Sequence, residues 1–329
     1  MFSLKKKERE NNIFNLDMKR YDDISDILIK GKFYKKKKIE YLNLPISFDI
    51  ETSSFYYSSE LKDVKKDCPK IQTKYGELND DRYEKVGCMY MFGVGINGRV
   101  AIGRTYSEFI KWLYQIQAFY DLKPNERHAI CYIHNASYEF QFIRKHLNIV
   151  KMFAIKEREP IYFVCDLGIE FRCSYLLSGY KLENLPLLKY DVKKLVGSLD
   201  YDLIRHPKSR ITKDEYDYLI VDNLCVMAYI KEYMEKLGNN ITRIPFTKTG
   251  VVRKLCRDNC FYVEGSHKNK SWDKYNNYNN YIHNMNITSV YEYEQLKRAF
   301  MGGFTHANNN YVGVLLKNVT SFDFTSSYP

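Results

Sequence analysis

No stretch of the 329 residues approaches the ~20 consecutive apolar positions that span a bilayer. The start, MFSLKKKERENN, is basic with no apolar stretch behind it, so it does not read as a secretory signal. Both absences lead to the expectation of a soluble, cytoplasmic protein with no membrane partner. The eight cysteines form no CxxC pair and keep no regular spacing, which argues against a disulfide framework and for reduced thiols. Cys256, Cys260 and His267 lack a fourth ligand and zinc-finger spacing, so no zinc is expected. No sustained heptad points to a coiled coil.

The rest is an ordinary globular composition, 45% hydrophobic and 28% charged, with room for two domains. Lys and Arg number 51 against 40 Asp and Glu, and a net charge of +11 favours a polyanionic partner, whose counterions a basic surface releases. Thirty Tyr and nineteen Phe among basic side chains suit stacking on single-stranded bases, each worth roughly 1 to 3 kcal/mol. An AT-rich coding sequence would also enrich Tyr, Asn, Lys and Ile, so the aromatic count alone decides nothing.

Residues 1–43 read as a polar arm ending beyond the run Lys35 to Lys38, with ordered fold beginning near Leu44. The pattern then predicts a strand at 44–52, a hairpin of 88–96 and 99–103 turned at Asn97-Gly98, an amphipathic helix at 107–120 and a buried strand at 129–134. A helix at 137–147 follows, then three short β runs within 149–175, and a long helix from Thr212 to Leu237 stopped by Gly238. This alternation is α/β. Residues 241–290 form a helical and Asn-rich connection, and 291–329 begin a further domain.

The sharpest local feature is Phe48-Asp49-Ile50-Glu51-Thr52. Strand residues two apart share a face, so Asp49 and Glu51 point together, as oxygen ligands of a divalent cation do. Glu139, in His134-Asn135-Ala136-Ser137-Tyr138-Glu139-Phe140, lies in the first turn after a strand-to-helix junction, where an N-cap and a favourable dipole charge would also explain it. Tyr218 and Asp222, at i and i+4 on the long helix, share a third face. Tyr162 to Asp166 repeats that spacing but lies in a strand-like run and is set aside. Taken in order, the carboxylates suit two cations about 3.5 to 4 Å apart acting on a phosphodiester.

At this point the sequence resembles the protein-primed family B DNA polymerases of small tailed phages and related elements, from about residue 44 onward. FDIET, HNASYEFQF and YLIVD resemble the family's three exonuclease motifs, which implies a ribonuclease-H-like 3′-5′ exonuclease at 44–240. Phe300-Met-Gly-Gly-Phe-Thr resembles the YxGG segment, implying DNA contacts from Gly302, Gly303 and Phe304, and Asp323-Phe-Thr-Ser-Ser-Tyr-Pro329 resembles palm motif A. Asp323 is then a polymerase metal ligand and Tyr328 the residue that selects against ribose. The resemblance also implies Mg²⁺ or Mn²⁺ as two ions on Asp49, Glu51, Glu139 and Asp222, a water-orienting Tyr218, and strand contacts from Asn135, Tyr138 and Tyr201.

Three positions depart from the family pattern: Glu139 for Asp, Phe300 for Tyr, and Val196 before Gly197 where some members carry a Lys near the scissile phosphate. The remaining palm motifs would lie beyond Pro329, so this chain alone is not expected to polymerise DNA, and a second chain or a longer polypeptide would complete the truncated palm. The implied partners are single-stranded and primer-template DNA and a terminal protein primer. A catalytically silent DNA-binding module and a ribonuclease are the rival readings.

Overall fold

The computed structural model describes residues 24–34, 37–74, 76–195, 200, 203–261, 280, 283–284, 289–299 and 313. They fall in two compact units, the first ending at Leu255 and the second beginning at Cys256. In chain order the strands and helices are β1 (Leu28–Tyr34), β2 (Lys37–Leu42), β3 (Ile46–Ser58), β4 (Asp63–Lys65), β5 (Lys70–Thr73), β6 (Gly76–Asn79), β7 (Glu84–Ile96), β8 (Arg99–Gly103), α1 (Tyr106–Tyr120), β9 (Arg127–Ile133), α2 (Ala136–Ile143), β10 (Ile149–Ala154), β11 (Pro160–Cys165), β12 (Ile169–Cys173), α3 (Ser174–Ser178), α4 (Lys213–Lys236), α5 (Lys248–Phe261) and α6 (Val290–Ala299).

The main sheet is mixed, in the order β10-β11-β12-β9-β3-β7-β8, with β2 beside the start of β9 and β4 beside the far end of β3. β12, β9 and β3 run parallel, and the remaining neighbours along that path are antiparallel. The alternation of β3 divides two layers. Ile46, Phe48 and Ile50 enter a core with Phe109, Leu113 and Ile116 of α1. Ser47, Asp49 and Glu51 occupy the opposite face, where α4 packs.

Both long helices start as their sequences dictate. Thr105 caps α1 with Glu108 in a reciprocal capping box, and Thr212 does the same for α4 with Glu215. Gly238, at φ +74°, ends the turn after α4. The expected helix at 137–147 stops at Ile143 and tightens into a 3₁₀ turn at Arg144–His146.

Ordered structure begins well before Leu44, which corrects the expectation of a polar arm through residue 43. β1 and β2 pair with each other, β2 joins β9 through Glu40 and Tyr41, and Ile27, Ile39, Tyr41 and Leu42 are buried. The lysines around them hid an apolar alternation. Of the second unit, α6 is described, with Ser289 Oγ accepting the Glu292 N–H at 3.1 Å. Most of the Asn-rich 266–288 stretch lies outside the described residues.

Candidate metal centre

β3 carries the first two carboxylates, and its pairing with β7 shifts between Glu51 and Thr52, where β7 inserts Tyr90 between the partners Met91 and Met89. Such a bulge bends a strand and re-aims its side chains. Opposite Asp49 and Ser47 stand Gly93 and Gly95 of β7. A methyl at Gly93 would lie 2.6 Å from Asn223 Nδ2, and one at Gly95 2.5 Å from both Ser47 Oγ and Met227 Cε. The two glycines therefore let α4 approach the sheet. Ser47 Oγ donates to Asn223 Oδ1 at 2.8 Å, and Asn223 Nδ2 donates to Leu219 O at 3.0 Å, which fixes the rotation of α4 one residue from Asp222.

This docking brings ligand oxygens of Asp49, Glu51 and Asp222 within 4.8 Å of one another. Burial and the Asp222 charge push Asp49 up to about 7. Burial, with Asp49 and Asp222, pushes Glu51 well above the usual carboxylate range. Glu139, 5% exposed in the first turn of α2, stands outside the trio but is raised well above its ordinary value by burial and by the Asp49 and Glu51 charges. Asp222 is raised to about 6 by burial, against the pull of Lys194. Asp222 Oδ1 and Glu139 Oε2 are buried with no hydrogen-bond partner. Crowded carboxylates with orphaned oxygens fit a divalent cation, which would relieve both the repulsion and the missing bonds.

Sequence reasoning missed Lys194. Its Nζ donates to Asp222 Oδ2 at 2.7 Å and lies 4.6 Å from the Tyr218 ring centroid. Tyr218 itself is buried, on the same side of α4 as Asp222. The one available signal was the alternation Tyr190, Val192, Lys194, which is uninformative until the helix beneath it is known. Tyr138 is 45% exposed, its hydroxyl bonds Thr52 Oγ1, and its ring lies 5.2 Å from Phe142. Thr52, Tyr138, Phe142, Glu51 and Arg205 line a groove of about 490 Å³ beside the carboxylates. Asn135 sits at the N-cap of α2 in the left-handed region, φ 70°, without a side-chain cap bond. Val196, Tyr201, Phe300, Gly302, Gly303, Phe304, Asp323 and Tyr328 lie outside the described residues.

The raised carboxylates make the cation-free protein sensitive to pH. A carboxyl whose folded pKa exceeds its unfolded value holds its proton in the native state, so its contribution is complete at low pH and is lost as pH rises through the folded value. For Asp222 and Asp49, raised from 3.8 to about 6 and about 7, the loss begins near pH 4 and is complete by about pH 7. In chelator, the urea midpoint of the wild type should fall across this window more than that of Asp49→Asn, and Mn²⁺ should shrink the difference. Equal slopes for the two proteins would refute the assignment.

No protein-family profile matches the chain, and no curated protein matches it in sequence. Solved structures similar to it include those of a DNA polymerase. One is Phi29 DNA polymerase complexed with primer-template DNA and incoming nucleotide substrates, at a TM-score of 0.48 and 14% identity, covering 82% of this chain and 40% of that one. The same enzyme complexed with single-stranded DNA gives a TM-score of 0.43 and 15% identity, over 67% of this chain and 35% of that one. The chain thus spans well under half the length of the polymerase it resembles. Among the described residues, no helix is long and apolar enough to cross a membrane.

Proposed function

We propose that the chain is the 3′-5′ exonuclease-bearing portion of a protein-primed family B DNA polymerase, with a ribonuclease-H-like domain that hydrolyses the terminal phosphodiester of single-stranded DNA. The observation that carries this reading is the convergence of Asp49 and Glu51 from β3 with Asp222 from α4, within 4.8 Å, beside a buried and unpartnered Glu139 oxygen. The order of the three motifs in the chain supports it.

In this reading Asp49, Glu51, Asp222 and Glu139 would hold two Mg²⁺ or Mn²⁺ ions. Bound there, the ions supply charge for the attacking and leaving oxygens of the phosphodiester. Tyr218 orients the attacking water. Lys194, whose amine already sits on Asp222, is placed to meet the negative charge that develops on the phosphate. Asn135, Thr52 and Tyr138 hold the terminal nucleotides, and the groove lined by Tyr138 and Phe142 gives a base an aromatic wall. Tyr201, Gly302, Gly303, Phe304, Asp323 and Tyr328 keep the roles the family resemblance implies, as does a terminal protein primer.

The test is digestion of 5′-labelled single-stranded DNA with Mg²⁺ or Mn²⁺. A ladder shortening from the 3′ end is expected, and Lys194→Ala should slow it by about 10²-fold, the cost of removing one group that stabilises transition-state charge. The position of Glu139 outside the trio favours one rival, a silent DNA-binding platform. That rival requires DNA binding that is indifferent to Mn²⁺ and no ladder at any concentration of the ion.

A further inference from the structure

The lysine at the metal centre arrives on a strap fastened far from it. Glu232 of α4 is 4% exposed, and its Oε1 accepts three successive backbone N–H groups, those of Leu188 at 2.9 Å, Lys189 at 2.8 Å and Tyr190 at 3.3 Å. Converging N–H groups of this kind form a concave anion site, and here the helix supplies the anion from its own side chain. Glu235 adds a second tie, its Oε2 accepting from Lys189 Nζ at 2.7 Å and its Oε1 from the Tyr190 hydroxyl at 2.8 Å.

From that anchor, residues 190–194 run back along α4 with alternate side chains inward. Tyr190 and Val192 are buried against Leu224, Cys225, Met227 and Ala228, and the next inward residue is Lys194, on Asp222. Asp191 and Lys193 point outward and are exposed. The strap lines an open groove of about 530 Å³ and Leu188 is 83% exposed, and the segment is held to α4 by these ties together with the packing of Leu185, Leu187, Tyr190 and Val192.

We propose that Glu232 is the positioning residue for Lys194: by fixing the start of the strap, it delivers the amine at the strap's end to Asp222. Its consequence for catalysis rests on the nuclease reading, while the positioning itself does not. The register is set within a single rigid element, since Glu232 and Asp222 belong to one helix. Freeing the anchor lets the strap slide or lift while the carboxylates stay in place.

Two readouts separate these claims. In the first, the full chain in chelator is acylated with an N-hydroxysuccinimide ester of acetate, and the modification of Lys194 is followed by peptide mass spectrometry against exposed Lys111. Glu232→Ala should raise Lys194 labelling about fivefold, as expected for the loss of at least one net hydrogen bond holding the strap. Glu232→Gln, whose carbonyl still accepts N–H groups, should stay within about twofold of the wild type. Unchanged Lys194 labelling in Glu232→Ala overturns the proposal. If that variant does not fold, Glu235→Ala decides. It removes the ties to Lys189 Nζ and the Tyr190 hydroxyl and should raise labelling about twofold, and no rise there overturns the proposal equally.

In the second, DNA hydrolysis by Glu232→Ala should show kcat lowered about tenfold with KM nearly unchanged, the mark of a misplaced group rather than lost substrate binding. The same substitution made in Lys194→Ala should cost nothing more, whereas losses that add in full overturn the proposal. A rise in labelling with no hydrolysis by any form would uphold the positioning and reject the nuclease reading.

Discussion

Asp49→Ala should abolish Mn²⁺ binding at the carboxylate centre and slow hydrolysis of a 3′-terminal phosphodiester by at least about 10³-fold, the scale of losing a charge-stabilising centre. Asp49 is the residue on which the others converge. Its charge raises both Glu51 and Glu139, and Asp222 in turn raises Asp49. Removing it takes away the carboxylate coupled to both Glu51 and Glu139 and relieves the repulsion that a cation would offset. The apo protein should survive the change, because the crowding of charge at this point opposes folding at neutral pH. Asp222→Ala should abolish binding as well, but it leaves Lys194 without its 2.7 Å partner, so its loss mixes two causes. Isothermal titration with Mn²⁺ and a labelled-strand assay report the two effects, and hydrolysis at the wild-type rate by Asp49→Ala would sink the assignment.

The second large effect lies on the neighbouring strand. Gly95→Ala places a methyl 2.5 Å from Ser47 Oγ and Met227 Cε and 2.9 Å from Met227 Sδ, so two buried side chains between the strand and α4 must shift to admit it. Overpacking of this kind costs about 1 to 3 kcal/mol, partly offset by the roughly 0.5 to 1 kcal/mol that replacing a strand glycine returns. A fall in Tm of several degrees, about 2 to 4 °C per kcal/mol for a unit of this size, should accompany weaker Mn²⁺ binding, because lifting α4 separates Asp222 from Asp49 and Glu51. Gly87→Ala, on the same strand, meets its nearest neighbour, the Phe142 ring, at an ordinary 3.5 Å and provides the comparison. Equal Tm and equal Mn²⁺ affinity in the two variants would show that the close approach at Gly95 does not hold the centre together.

The carboxylate pair on β3 was legible because strand geometry alone puts positions 49 and 51 on one face. Asp222 was legible as the partner of Tyr218 on a capped, periodic helix, and the joining of these pieces came from their order. Lys194 was not, since its meaning depends on a helix that follows it by many residues. The same is true of Gly93 and Gly95, which read as unremarkable members of a hairpin until α4 lies across them. β1 and β2 were hidden for a different reason. Their lysines dominate the composition, while the few apolar side chains that decide burial, among them Ile39, Tyr41 and Leu42, are spaced one or two apart.

The Ser47–Asn223 bond that sets the rotation of α4 joins residues 176 positions apart in the chain. Loop closure over such a distance must be met before any pairing across it rewards the chain. The carboxylate trio therefore comes into being only with the final seating of a helix, and a partly assembled chain offers a cation isolated side chains rather than a cluster. Cation uptake under the proposed reading would in this way be coupled to completion of the fold, each bound ion adding its binding free energy to the native state alone.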